Sequence, residues 1–368
     1  MRSVNNEDVL LLFDVLKIDD RLRALKHGRK RMARCKLIQV MNFWTCAILL
    51  GILIYHLPAS AASFDCTKTI TLREKLICQD PELSSLDAQL GSKYKERLNL
   101  LSPKGAKLFR NSERHWLHFV SIVCPDSQNF RKDSLHNLKD CLSEEYRDRL
   151  KQLDMVGQKI GPFVFNRIDI YAAKPAPDKD GSRSGFYYQH TAYPQIDNIE
   201  NSMTKLWNKQ MERSLRLDDC GIYGDYDTYY KMGYASDKLI SMTSAEETYC
   251  HGAPHGFGGS QTINTILIPS PHRLNSSDVF GSGQDWKAKL QKLFMEDLQK
   301  QGWKPRSACD KENALEIFLD PNRWLFTDKG IEVDFGPYEV CAYACTPRPV
   351  TVSWDSIRPL LVQNFMHP

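Results

Sequence analysis

The chain has 368 residues, of which 42% are hydrophobic and 26% are charged, with 20 glycines, 18 prolines and 11 cysteines. This balance is typical of a globular protein and excludes a disordered or a fibrous chain, and the length predicts two domains. The net charge is +4, but the first 64 residues hold 10 Lys/Arg against 5 Asp/Glu, so the remainder is close to neutral. Because a nucleic-acid-binding protein needs a clustered basic surface, we exclude that class.

Residues 32–62 have the pattern of a signal peptide. A basic run at 26–36 precedes the apolar stretch Phe43–Leu57, and small residues follow at 58–62. The alternative is a signal anchor, and an uncleaved leader is the one membrane attachment that we expect. The apolar stretch is shorter than the ~20 residues that a bilayer core requires, which favours secretion.

The cleavage site follows from the same pattern. Ala59 and Ala61 are small residues at alternate positions, which predicts cleavage that leaves Ala62 or Ser63 as the first residue. We therefore expect an extracytoplasmic protein, in the periplasm or the cell envelope.

The first 31 residues do not fit a signal peptide. Residues 1–31 contain acidic side chains, which the start of an export signal lacks. They are a poorly defined leader or a mis-assigned start, since translation from Met32 or Met41 gives a conventional signal.

Nine cysteines follow the leader, four of them before residue 154 and five after it. Even sets of cysteines in exported domains predict disulfides. Four cysteines allow three connectivities, of which we favour the one that joins neighbours in sequence. The predicted pairs are Cys66–Cys78 and Cys124–Cys141.

The segment 63–154 predicts a small, disulfide-stapled, all-α domain. Asp80 suits a helix N-cap, and Pro81 is tolerated at the first helical position. Apolar residues then recur at spacings of three and four, as on amphipathic helices. The three stripes are Leu83, Leu86, Leu90, Tyr94 and Leu98; Leu108, Phe109, Trp116, Phe119 and Val123; and Leu138, Cys141, Leu142, Tyr146, Leu150 and Leu153. We interpret Trp116 as the core anchor of these helices.

This segment resembles the LprI-type domain of bacterial exported proteins. The resemblance covers residues 64–153 and combines four cysteines with a fixed string. The matching residues are Phe64-Asp65-Cys66, Cys78-x-Asp80-Pro81-x-Leu83-x-x-Leu86-Asp87, Trp116, Cys124, and Cys141-Leu142-x-x-x-Tyr146-x-x-Arg149-Leu150. It implies inhibition of lysozymes that attack the bacterial cell wall.

The segment 155–368 predicts an α+β domain with an antiparallel sheet and flanking helices. Runs rich in aromatic and β-branched residues predict strands, and 3.6-residue periodicity predicts helices. The predicted strands are 163–172, 186–194, 222–234, 238–249, 262–268, 324–327, 330–335 and 350–354; the predicted helices lie near 199–211, 286–298 and 356–365.

The strand pairing of one predicted hairpin indicates a disulfide. If the strands on either side of residues 235–237 pair antiparallel, the numbers of facing residues sum to 470–472. Cys220 and Cys250 sum to 470, so we predict the pair Cys220–Cys250. The other predicted pair is Cys341–Cys345. The sequence leaves open which of Cys309, Cys341 and Cys345 stays unpaired.

The segment after that hairpin resembles the extracytoplasmic C-terminal domain of the RsiV family over residues 155–366. The matching residues are Tyr249-x-His251-Gly252-Ala253-x-His255-Gly256, Leu274-x-Ser276-x-Asp278-Val279-Phe280, and Gly330-Ile331-x-Val333-x-Phe335-x-Pro337-Tyr338-Glu339-Val340. In that family the domain binds lysozyme and thereby triggers release of a sigma factor. The inserted Pro254, the extra histidine, and Cys341 and Cys345 depart from the pattern. The loop of interest is His251, Gly252, His255 and Gly256, to which we assign no ligand contacts.

The sequence predicts no enzyme and no cofactor. Cys250, His251 and His255 are the strongest metal candidates, but Gly252 and Pro254 exclude the helix that such a motif needs, and a disulfide would remove Cys250. The sequence contains no nucleophile elbow, zinc-protease motif or phosphate-binding loop. We interpret the carboxylates of Asp218, Asp219, Asp225 and Asp227 as solvated strand-end and turn residues.

Two functions are consistent with these features. The first is an exported, non-catalytic protein that binds or inhibits a lysozyme or related muramidase and protects the cell wall. Its acidic second domain would attract a cationic enzyme. The alternative is an accessory module of cell-wall enzymes that holds peptidoglycan and inhibits nothing. Its candidate contacts are Tyr187, Tyr188, Tyr229 and Tyr230, for which we prefer core packing in strands.

Overall fold

The computed structural model describes residues 62–126, 138–176, 185–213, 224–281, 285–305, 308–336, 339–340, 346–363 and 365. Ser60–Pro368 forms one compact unit, which contains both a helical segment and a sheet-rich segment. The predicted leader up to residue 61 lies outside the described residues, and so do Cys220, Cys341 and Cys345. Within the described ranges, no helix is both long enough and apolar enough to cross a membrane.

The helical segment contains one helix more than the three that the sequence predicts. Its helices are α1 (Leu72–Gln79), α2 (Pro81–Leu98), α3 (Pro103–Val123) and α4 (Leu138–Leu153). Asp80 caps α2 as predicted, since its side chain accepts hydrogen bonds from the amides of Glu82 and Leu83. The unexpected α1 is only eight residues long and weakly amphipathic. It begins at a capping box formed by Thr71 and Glu74, a signal that the apolar pattern does not show.

Both disulfides predicted for this segment are present. Cys66–Cys78 joins a short 3₁₀ turn to α1, and Cys124–Cys141 joins the end of α3 to α4. Their Cα–Cα distances of 5.9 and 5.8 Å are ordinary for disulfides. The sequence prediction of these two pairs is confirmed.

The sheet-rich segment is built on a sheet whose described strands follow chain order. These strands are β1 (Gln158–Ile160), β2 (Phe163–Pro175), β3 (Phe186–Ile196), β4 (Gly224–Ala235), β5 (Leu239–Cys250), β6 (Phe257–Ile266) and β7 (His272–Arg273). Neighbours pair antiparallel except β3 and β4, which are parallel. Since parallel strands need a crossover, the helix α5 (Ser202–Met211) lies between them in sequence.

The β4–β5 hairpin corrects the predicted register. Gly224, not Cys220, is the partner of Cys250, and facing residue numbers sum to 474–475. The hairpin closes at Ser236 and Leu239, so its turn is centred between residues 237 and 238, and a bulge near Gly233 then lowers the sum of facing residue numbers from 475 to 474. Cys250 is disulfide-bonded, but the pairing with Cys220 stays a prediction.

A second, three-stranded sheet and further helices complete the described fold. They are α6 (Ser276–Val279), α7 (Trp286–Lys300), α8 (Ala308–Leu319), β8 (Trp324–Phe326), β9 (Gly330–Val333), β10 (Val350–Ser353) and α9 (Trp354–Ile357). The sequence pattern missed α8. The predicted final helix over 356–365 is wrong, because Pro359 has no amide hydrogen to donate. The chain makes one 3₁₀ turn, Arg358–Leu360, and then becomes extended.

The helical and sheet-rich segments share buried contacts. Helix α3 lies along β2, where the Asn166 side chain donates to the Gly105 carbonyl and the Asp169 amide donates to Ser112 Oγ. The ring of Tyr171 is buried in the same hydrophobic cluster as Trp116. The packing of the two segments therefore positions the sites described next.

Candidate functional site

A groove of about 600 Å³ opens on the helical segment. Helices α2, α3 and α4 line it with Asp87, Arg110, Glu113, Leu117 and Tyr146, among others. The side chain of Leu117 is 53% exposed, so one large apolar side chain of the groove faces solvent. The groove therefore offers an apolar side chain among charges of both signs.

Trp116 contributes to this groove and to the core. Its ring is 1% exposed and lies 5.6 Å from the ring of Tyr146. The guanidinium carbon of Arg149 lies 5.8 Å from the centre of the Trp116 ring. The predicted role as a core anchor is confirmed, and the same residue also lines the groove.

Behind the groove lies a buried charge cluster centred on Asp169. One carboxylate oxygen accepts from Arg167 Nε at 2.8 Å and from His190 Nε2 at 3.0 Å, and the other accepts from Arg149 Nη1 at 2.9 Å. Arg149 also donates to Glu113, which lines the groove. The cluster thus joins α3 and α4 to strands β2 and β3.

These neighbours shift the pKa values of the buried groups. Burial alone would raise the pKa of Asp169, but Arg167, His190 and Arg149 lower it well below its usual range. Burial alone would lower the pKa of His190, but hydrogen bonds to Asp169 and Asp227 raise it. Since each ring nitrogen lies within 3.0 Å of a carboxylate oxygen, both must carry a proton, so His190 is a cation here.

Carboxylates from both segments meet beside His190. We call Glu145 of α4, Asp225 and Asp227 of β4, and Glu247 of β5 the acidic face; burial raises the pKa of the phenol of Tyr188, and these four carboxylates raise it further. Burial, Asp148 and Glu144 raise the pKa of Glu145 to about 7. Carboxyl groups from both segments are therefore close to one another here, and Asp227 is paired with the cationic His190.

Asp225 and Asp227 differ from their sequence interpretation. Both are half-buried within β4, so they are not the solvated residues that the sequence predicts; Asp218 and Asp219 lie outside the described residues. Each contacts a histidine: Asp227 Oδ1 lies 2.8 Å from His190 Nδ1, and Asp225 Oδ1 lies 3.1 Å from His251 Nε2. Asp225, Asp227 and Tyr229 are polar residues at alternate positions, a sequence pattern that indicates side chains on the same face of a strand.

The loop of His251, Gly252, His255 and Gly256 forms the turn between β5 and β6. The His251 side chain is buried beside Asp225, whereas His255 is exposed and its Nδ1 lies 2.9 Å from the carbonyl oxygen of Gly256. The two histidines therefore do not form one site. Gly252 has a φ of 86°, the left-handed conformation that favours glycine. Across the described ranges, His, Cys, Asp and Glu side chains form no group of three or more that could hold a metal ion.

The four tyrosines considered for peptidoglycan do not form an exposed aromatic surface. Tyr230 is buried, and Tyr187 and Tyr188 are half-buried. Tyr229 is 42% exposed, and its hydroxyl donates to Glu247.

Comparison with known proteins relates the helical segment to a known family. Residues 65–153 match the family model described as lysozyme inhibitor LprI. The Lipoprotein LprI proteins of Mycobacterium tuberculosis strain H37Rv and Mycobacterium bovis are each 27% identical to this chain over 96 residues. The matched stretch covers 26% of this chain and 43% of each relative. The resemblance expected from the sequence is therefore confirmed for this segment.

Residues 277–355 match a second family model, DUF3298, described as a protein of unknown function. A solved DUF3298 family protein from Pseudomonas aeruginosa PAO1 is 13% identical, and it covers 56% of this chain and 98% of its own at a TM-score of 0.38. One from Bacteroides fragilis is 14% identical, with coverage of 56% and 96% and a TM-score of 0.37. The second sequence resemblance falls in this region, and the description of the matching family assigns no function.

Proposed function

We propose that this protein is an exported, non-catalytic inhibitor that binds a lysozyme and protects the bacterial cell wall. The observation that carries the proposal is the match of residues 65–153 to the lysozyme inhibitor LprI. Two curated relatives are named Lipoprotein LprI. Both cysteine pairs on which the sequence resemblance depends are formed in this segment.

The groove supports a protein partner. Its mouth presents Leu117, while Arg110 and Glu113 supply charges of both signs. An apolar centre with a polar rim is the usual composition of a protein interface. We therefore place the central lysozyme contact at Leu117.

The acidic face supports a cationic partner. Its four carboxylates add to the effect of burial on the pKa of Tyr188, and the side chain of Glu247 is exposed. Lysozymes are cationic, so opposite charges would accelerate their association with this protein. The acidic face and the groove both include a residue of α4, Glu145 and Tyr146 respectively.

A clearing assay tests this function. The purified protein from Ser63 to Pro368 is expected to slow the clearing of a bacterial cell suspension by a chicken-, goose- or invertebrate-type lysozyme. The slowing should saturate when inhibitor and enzyme are present in equal amounts. A protein that sediments with insoluble peptidoglycan and leaves clearing by all three enzymes unchanged would contradict the proposal and favour the accessory module.

A charge-reversal variant separates steering from direct contact. Glu247→Lys should slow association with lysozyme several-fold at low salt and have little effect at high salt, because screening removes long-range attraction. Glu312→Lys, which changes an exposed glutamate on α8, is the matched control. Equal effects of both variants would remove the acidic face from the proposal.

A further inference from the structure

Asp87 is a buried carboxylate with neutral hydrogen-bond partners. Its side chain is on α2 and the residue is 7% exposed. Oδ2 accepts a hydrogen bond from the backbone amide of Ser63 at 2.5 Å, and Oδ1 accepts one from the Tyr146 hydroxyl at 3.4 Å. Among the ion pairs of the described residues, none includes Asp87. A buried carboxylate with no cation beside it is costly, and it therefore calls for an explanation.

The chain around Ser63 is held in place against α2. Ala62 and Phe64 are partly buried against the helical core. Gly91 lies one helical turn after Asp87, and a Cβ atom at Gly91 would lie only 2.8 Å from the Cβ of Ser63. Glycine at this position therefore allows the close approach that brings the nitrogen of residue 63 to the carboxylate.

We propose that the leader is removed between Ala62 and Ser63, and that the new α-ammonium group of Ser63 forms an ion pair with Asp87. Water adds across the Ala62–Ser63 peptide bond in a reaction catalysed by an export endopeptidase. Ala62 leaves as a carboxylate, and the Ser63 amine takes up a proton. The nitrogen that donates as a neutral amide in the uncleaved chain then carries a full positive charge at the same place.

This inference selects between two alternatives that the sequence leaves open. Cleavage after Ala61 places the ammonium group on Ala62, one residue away from the nitrogen that contacts Asp87. Cleavage after Ala62 places it on that nitrogen, and Ser60 and Ala62 then supply the small residues that the cleavage requires. The inference rests on the export proposed above but not on lysozyme binding.

Three forms of the protein test the ion pair directly. They begin at Ser63, at Ala62, and at an N-acetylated Ser63, and each is released from a fusion that leaves no extra residue. The readout is the pKa of the terminal amine, measured as the pH dependence of its acylation rate by mass spectrometry. The ordinary pKa of an α-amine is about 7.8, and the Asp87 carboxylate in contact should raise the pKa of the Ser63 α-amine to about 9 or higher. The Ala62 amine should titrate near its ordinary value.

Stability gives a second readout with a definite sign. Because the pKa of the folded amine is raised, its stabilisation is complete below the pKa of the unfolded amine and is lost as the pH rises through the folded pKa. The Ser63 form should therefore melt at a higher temperature than its acetylated form at pH 7, and this difference should vanish near pH 11. Asp87→Asn should remove the difference; if that variant does not fold, the acetylated form still decides the question.

Two outcomes would overturn the inference. One is a Ser63 amine that titrates like the Ala62 amine, with no melting difference on acetylation. The other is N-terminal sequencing of the exported protein that finds Ala62, or the intact leader, in place of Ser63. Neither measurement involves lysozyme, so failure of this inference is distinguishable from failure of the proposed function.

Discussion

Helices α3 and α4 bury paired charged side chains on the side that faces the sheet and leave a groove open on the other side. On the side toward the sheet, Arg149 is fully buried and donates to Asp169 and Glu113. On the groove side, Arg110 and Leu117 line an opening of about 600 Å³. Ion pairs in which every charge has a partner within the protein stabilise the junction of the two segments. Side chains around an open groove remain available to a partner, and we therefore assign stability to one side and recognition to the other.

Two residues belong to both sides. Glu113 lines the groove and accepts from Arg149, while Trp116 lines the groove and packs beneath the Arg149 guanidinium. The groove and the junction behind it are therefore in direct contact through these two side chains. Substitution of Glu113 or Trp116 would therefore affect both sides at once.

The largest expected effect is on the junction. Arg149→Met leaves the carboxylates of Asp169 and Glu113 without their shared cation and should lower the free energy of unfolding by about 3–5 kcal/mol. Arg147→Met, two residues earlier and exposed, should change it by less than about 0.5 kcal/mol. Denaturant titration of both variants measures the difference. Equal small losses would show that the cluster does not stabilise the fold.

The disulfide between Cys124 and Cys141 should have the next largest effect. Replacing Cys124 and Cys141 together by serine should cost about 2–4 kcal/mol, because the bridge closes a loop between α3 and α4. The double serine variant of Cys66 and Cys78, whose bridge spans 12 residues instead of 17, should lose slightly less. Thermal unfolding of the two variants compares them. The opposite order would show that local strain outweighs loop length.

The junction should also respond to pH through His190. Its pKa is raised when folded, so its stabilisation is complete below the ordinary histidine value of ~6.5 and is lost as the pH rises through the raised pKa. His190→Gln should flatten the stability profile at alkaline pH. His118→Gln on α3, at a histidine that is exposed, is the control. A profile that both variants leave unchanged would contradict a cationic His190.

The smallest effect concerns the acidic face. The pKa of Glu145 is raised to about 7, so the fraction of this carboxyl group that is ionised rises between pH 6 and 8. Affinity for a cationic lysozyme should therefore increase a few-fold over that range, and Glu145→Gln should remove the increase. Titrations at pH 6 and 8 measure it. A pH dependence that persists in Glu145→Gln would assign it to another group.

The sequence predicts features that depend on neighbouring residues and misses those that depend on distant ones. The stripe from Leu83 to Leu98 and the cap at Asp80 are local, and both appear as predicted. The burial of Arg149 is not local, because its partner Asp169 lies on a strand and helical periodicity assigns a charged residue to solvent. Arg167 and Asp169, two residues apart in an apolar strand, were the available signal of a buried ion pair.

Register and pairing order were harder to predict for the same reason. The bulge near Gly233 fits the backbone of Phe326, whose carbonyl oxygen would lie 2.4 Å from an added Cβ atom. That contact joins two sheets across nearly a hundred residues of sequence. The groove likewise depends on three helices and has no linear motif. Division of the chain into domains at 154–155 stays a prediction, which expression of residues 63–154 alone would test.

The central claim is that the groove around Leu117 binds lysozyme. Its most direct test is a calorimetric titration of lysozyme with the protein from Ser63 to Pro368 and with two variants, Leu117→Asp and Leu206→Asp. Both leucines are exposed, at 53% and 44%, so neither change should alter stability. We predict that Leu117→Asp weakens binding about tenfold or more and that Leu206→Asp, on α5, leaves it unchanged. Equal affinities of all three proteins would contradict the claim.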